Sequence, residues 1–143
     1  MPLWKRDISI EVDEDVANML SMKAQLKDNI HDMELRLKIS LPDYTIRQAE
    51  LEMREVPQPC CHEIEPAVKD LEGLKIGPGF SRRVREILGG RRGCINLLHL
   101  VMETAPLAIN VSWWAYKARG TVTEEEFEQG RSLAMSGQCV GYP

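Results

Sequence analysis

No repeated Cys-x-x-Cys, no evenly spaced disulfide framework, no internal repeat and no low-complexity tract occurs in this sequence. The opening Met-Pro-Leu-Trp-Lys-Arg-Asp has no apolar run of signal-peptide length, so the expected compartment is cytoplasmic. In that setting Cys60, Cys61, Cys94 and Cys139 read as thiols, metal ligands or reactive groups rather than as disulfides. The plainer reading is that several of them are small buried apolar residues. An excess of positive charge is also missing. A net charge of −4 and a pI near 5.4 argue against whole-chain nucleic-acid binding. The longest apolar segment, 94–114, is interrupted by His99, Glu103, Pro106 and Asn110, which argues against a membrane span. No Ser/His/Asp triad can be assigned, and Glu63 and Glu65 beside His62 look like ordinary surface carboxylates. No linker divides the chain, which implies one domain over 1–135 and a flexible tail over 136–143.

What is present is patterning. Ile8, Ile10 and Val12 alternate with polar residues, as do Leu20, Met22, Ala24 and Leu26. The clearest run is Met33, Leu35, Leu37, Ile39 and Leu41, which a period of two places on one face of a strand. Asp28-Asn29 and Pro42-Asp43 are turn signals, and Ala49, Leu51 and Met53 resume the alternation. The simplest assembly is an antiparallel meander of three to four strands with one apolar face.

The second half reads as helix. Glu63 to Leu71 is a short candidate, and Ser81 can cap a helix that runs to Leu88 and ends at Gly89-Gly90. The apolar segment from Cys94 reads as the helix that covers the sheet, with Pro106 kinking or dividing it. Trp113, Trp114 and Tyr116 are expected over the core, and His99 at its boundary. Thr123 and Glu126 form a capping-box signature opening a helix to about Met135. Strands followed by helices imply an α+β fold, the sheet covered on one face by helices of the second half.

Two loci could carry chemistry. If 33–41 and 46–54 form a hairpin, His31 and Asp32 lie roughly opposite Val56, at the edge where the chain enters Pro57-Gln58-Pro59-Cys60-Cys61-His62. Cys94 follows Gly89-Gly90-Arg91-Arg92-Gly93 and opens a helix, where the dipole and two arginines favour thiolate. Cys61, Cys94 and His31 then form a candidate metal set, with Asp32, Cys60, His62 and Asn96 as further candidates for lining the site. Such donors suit zinc or an iron–sulfur cluster. Cys60 and Cys61 point in different directions in an extended chain, and His62 also reads as a solvent-facing loop residue. Cys139 receives no role. Arg82, Arg83, Arg85, Arg91 and Arg92, with Lys75, form a basic stretch that reads as a solvated face or as a docking patch for an acidic protein partner.

The order Ile30-His31-Asp32-Met33, Cys61, Leu74-Lys75-Ile76-Gly77-Pro78-Gly79-Phe80, Gly89-Gly90 and Gly93-Cys94 resembles an uncharacterised bacterial family whose function is unknown. In that family the last motif runs Gly-Cys-Thr/Ser-His-Leu, so the resemblance places Asn96 where a histidine is expected. The resemblance implies a fold more than an activity. A more distant similarity is to iron–sulfur scaffold proteins of the IscU, SufU and NifU amino-terminal type, matched at Pro59 to Cys61 and at Gly93-Cys94. Their middle cysteine has no counterpart between Leu71 and Gly90. Three functional readings result: a metal- or cluster-binding accessory protein, a non-enzymatic module with buried structural cysteines and a docking stretch at 75–92, and a small enzyme with Cys94 as nucleophile.

Overall fold

Alternation of apolar and polar residues produces the first half of the molecule. In a computed structural model describing residues 1–143, β1 (Asp7–Val16), β2 (Met19–Lys27), β3 (Asp32–Ser40) and β4 (Thr45–Glu55) pair antiparallel in the order β1-β2-β3-β4. Leu20, Met22, Ala24 and Leu26 of β2 and Met33, Leu35, Leu37 and Ile39 of β3 share one face and are buried. Withdrawing each large side chain from water stabilises the fold by about 1.5–3 kcal/mol. A register shift at Lys38/Ile39 lets both Ile46 and Ala49 of β4 reach that face, although they are out of phase for a regular strand. The edge strand β1 keeps the expected alternation, but none of its residues is fully buried.

The opposite face of the sheet is a charged lattice. Glu34 lies at its centre, accepting from Gln25 Nε2 at 2.9 Å and pairing with Arg36 and Arg54. Its carboxyl is held down to about 2: the Gln25 hydrogen bond lowers it, burial opposes this, and the two guanidiniums lower it further.

The chain falls into two compact units, Met1–Ala105 and Pro106–Pro143. In the first, β4 is followed by a 3₁₀ helix, Pro59–Leu71, rather than a helix starting at Glu63. Its Ile64, Val68 and Leu71 are buried, and it packs on β4. Helix α1 (Phe80–Leu88) begins one residue before Ser81. Gly79, left-handed at φ 85°, takes the cap position, so Ser81 lies within the first turn and is not the cap. Helix α2 (Ile95–Thr104) packs on β2 and α1. The apolar segment 94–114 is divided at Pro106, and only α2 belongs to the unit that holds the sheet. His99 is exposed, on the face of α2 opposite its buried leucines.

The second unit contains α3 (Leu107–Ala118) and α4 (Glu124–Met135). Thr123 and Glu126 form the reciprocal capping box that opens α4. Trp114 meets Phe127 edge to face at 4.9 Å, yet 48% of it is exposed, so it is a rim residue here. Gly130 lies against the Trp113 ring. The last residues form a turn in which Gly137 N–H donates to Tyr142 O. No helix of the chain is long and apolar enough to cross a membrane.

Candidate functional site

The connection from β2 to β3 builds the centre of the site. Asp28 accepts from the amides of Ile30 and His31, which closes a four-residue turn and fixes the backbone of His31. The same carboxylate accepts from His31 Nδ1 at 2.9 Å. Arg6 closes the far side, with Nε and Nη2 at 2.9 and 2.8 Å from Asp28 Oδ2. The strand register makes this possible: Asp7 pairs with Lys27, so one further step sets Arg6 opposite Asp28. The Asp28 side chain is fully buried. Burial by itself would raise its pKa, but the two amides, His31 and Arg6 together hold it down to about 2.

An ionised carboxylate only accepts, so His31 Nδ1 carries a proton. In the neutral ring Nε2 is then the lone pair, and Asn96 Nδ2 donates to it at 3.2 Å. Arg6, Asp28, His31 and Asn96 thus form one relay running from β1 to α2.

His31 and Asn96, at the end of this relay, line a cavity of about 380 Å³. Cys60, Cys61, Cys94, Arg91, Arg92 and Asn96 line it with His31. Local geometry fixes the position of Cys94. The loop after α1 folds back, so that Cys94 N–H donates to Leu88 O at 2.8 Å and Cys94 becomes the residue that starts α2. Gly93 allows the fold-back: a Cβ there would sit 2.1 Å from Leu88 O and 2.5 Å from Gly89 O.

Two of the expected lining residues are placed elsewhere. Asp32 follows His31 by one residue, so strand alternation turns it away, to Arg54 at 3.4 Å and Lys27 at 3.9 Å. His62 is exposed on the 3₁₀ helix and bonds Glu65 at 3.2 Å. The basic stretch is also split. Arg91 and Arg92 border the thiol cavity, whereas Arg82 and Arg83 line a separate one with Lys75, and Arg83 pairs with Glu86. Arg85 is exposed on α1.

All four cysteines are free thiols, Cys60 and Cys139 exposed and Cys61 and Cys94 half-buried. None of the four is fully buried, a departure from the reading of several as buried apolar residues. No group of three or more His, Cys, Asp or Glu side chains is arranged so as to hold a metal ion. The cavity therefore collects soft donors without presenting them as a formed coordination shell.

Residues 4–110 match the model of a family described as a protein of unknown function, DUF2889. The chain belongs to this family. The match takes in the sheet, the relay and the whole thiol cavity, and ends within α3. No curated protein and no solved structure matches the chain. The DUF2889 assignment thus agrees with the expected unknown-function family and adds no activity to it.

Asp28 and Arg6 are the site residues that sequence reasoning passed over. Asp28 reads as a turn former, and its position three residues before His31 is the signal that links them. Arg6 becomes visible only once β1 is aligned against β2.

Proposed function

We propose that this member of the DUF2889 family is an accessory protein that takes a soft metal ion or small cluster on the thiolates of Cys61 and Cys94, with His31 Nε2 as the third donor. One observation carries the reading: both thiols line the same cavity as an imidazole whose other nitrogen is fixed by a buried carboxylate. A carboxylate on the far ring nitrogen orients a histidine ligand and raises its basicity. Cysteine and histidine are donors that suit zinc and iron–sulfur centres, and their deprotonation is what binding requires. No further cysteine lies between Leu71 and Gly90, which favours a small donor set of two thiolates and one imidazole.

Asn96 sets the affinity in this reading. Its amide donates to the lone pair that a metal needs, so binding must displace it. The amide itself is a poor transition-metal ligand. The test is a titration of the reduced, untagged chain with Co(II), followed by thiolate charge-transfer absorption, with elemental analysis of the protein as purified. One ion per chain is expected, lost in Cys61→Ser and in Cys94→Ser. Asn96→His should tighten binding by about tenfold, the scale of a supporting change around a metal site. Uptake that persists unchanged in Cys94→Ser, or no stoichiometric uptake by the wild type, rules the proposal out.

A further inference from the structure

The first strand combines three features that nothing in the thiol site uses. β1 is the outer strand of the sheet, and no backbone hydrogen bond reaches it from any element other than β2. Its register with β2 is regular from Asp7 to Asp13 and shifts before Val16, so the outward-facing amides and carbonyls of that regular stretch offer an open ladder. The strand also concentrates charge. Asp7, Glu11, Asp13, Glu14 and Asp15 give it five carboxylates and no base, against a net charge of −4 for the whole chain.

Lys27 and Lys23 of β2 stand opposite Asp7 and Glu11, but no close ion pair forms along the row Asp7, Glu11 and Asp13. Asp7 and Glu11 make only long, exposed contacts to Lys5 and Lys23, at 3.7 and 3.9 Å. Asp13 and Asp15 make no ion pair and border an open cavity of about 360 Å³ on the polar face, with Glu11 on their side and Lys23, Arg36 and Lys38 across it. On the other face Ile8 is 48% exposed, and Ile10 and Val12 are half-buried. The apolar row is thus continuous with the core but uncovered at the edge.

We infer that β1 is a docking edge for an extended basic segment of a partner protein, one that alternates Lys or Arg with β-branched apolar residues. Such a strand adds to the sheet through main-chain hydrogen bonds. Its basic side chains fall on the polar face beside Asp7, Glu11 and Asp13, and its apolar ones extend the row of Ile8, Ile10 and Val12. Opposite charges across a strand pair stabilise it, while like charges directly opposite destabilise it. A second copy of this chain is disfavoured for that reason, because β1 against β1 sets carboxylates on carboxylates. The charge that blocks self-pairing selects a basic strand.

The experiment uses the full chain and a fluorescein-labelled nine-residue peptide of alternating lysine and valine, read by fluorescence anisotropy. Two controls separate a ladder from charge attraction. One is the same peptide N-methylated at alternate residues along one edge, equal in charge and composition. The other replaces every lysine with glutamate. We expect saturable 1:1 binding of the basic peptide and none of the acidic one. N-methylation should weaken binding by at least about tenfold, since it removes the ladder on which β-augmentation depends. Glu11→Lys/Asp13→Lys should weaken it by about tenfold, two exposed charge contacts being reversed. Both residues are exposed, and circular dichroism checks that the variant folds. Equal binding of the N-methylated peptide, equal binding by the reversed variant, or no binding at millimolar peptide overturns the inference. So does sedimentation that shows the free chain as a dimer that excludes the basic peptide, since a second copy would then occupy the edge.

Discussion

Replacing Asp28 with asparagine removes one charge and little volume from the centre of the site. The asparagine carbonyl can still accept the Ile30 and His31 amides that close the turn. What it loses is the charge facing Arg6 and His31 Nδ1. The folded-state pKa of Asp28, lowered from 3.8 to about 2, measures the net preference of the whole site for the charged carboxylate: burial opposes it, and the Ile30 amide, His31, Arg6 and the His31 amide favour it. At 1.36 kcal/mol per pKa unit it corresponds to about 2 kcal/mol of stability at neutral pH. The sign follows from the direction of the shift: a lowered carboxyl pKa stabilises the fold above the unfolded pKa, and the contribution fades as pH falls through the folded one. Almost all of it should be present at pH 5, and about half should be gone by pH 3. Urea unfolding of wild type and Asp28→Asn at the two pH values gives the comparison. Glu34 is also lowered to about 2 and titrates in the same window, but it is common to both proteins and cancels in the difference. The expected gap is about 2 kcal/mol at pH 5, shrinking to about 1 at pH 3. A gap below about 0.5 kcal/mol at pH 5, or one that does not narrow on acidification, refutes the view that Asp28 is held ionised by the amides, His31 and Arg6 around it.

Two further substitutions probe close packing. Gly93→Ala places a methyl against the Leu88 and Gly89 carbonyl oxygens; it should move Cys94 and destabilise the first unit by about 1–3 kcal/mol, read by urea unfolding and by the alkylation rate of Cys94. Gly130→Ala tests sign as well as size. Alanine normally favours a helix interior by about 1 kcal/mol over glycine. Here its Cβ would lie 2.4 Å from the Trp113 ring, so the substitution should destabilise by about 1–3 kcal/mol and change the tryptophan emission. A more stable Gly130→Ala protein would mean that α3 and α4 do not pack as described.

The sheet was readable because alternation is a local property. Leu20 to Leu26 and Met33 to Leu41 declare their face without reference to the rest of the chain, and their burial follows. The break at Pro106 and the capping box at Thr123 are local in the same sense. The start of α1 differs from the serine-capped expectation because Gly79 and Ser81, two residues apart, are both competent caps, and the backbone takes the left-handed Gly79. His99 and Trp114 were expected near the core on composition, but which side of an apolar helix is covered depends on what packs there.

The site divides along the same line. The cysteine residues, the histidine and the arginine-flanked helix start are all visible in sequence, and the β3–β4 hairpin brings His31 near Cys61 by register alone. Sequence could not show that Arg6, 22 residues before Asp28, supplies the counter-charge that keeps the carboxylate ionised. Nor could it show that Asn96, 65 residues beyond His31, donates to the free ring nitrogen. Those contacts depend on β1 pairing with β2 and on α2 packing over the sheet. They arise from tertiary assembly because a buried charge and a buried lone pair must find partners wherever the fold brings them. Local patterning is enough to say which side chains of β2 and β3 face the core and which residues carry soft donors. The tertiary structure decided that Cys60, Cys61, Cys94 and His31 share one cavity, and that Asp32 and His62 do not.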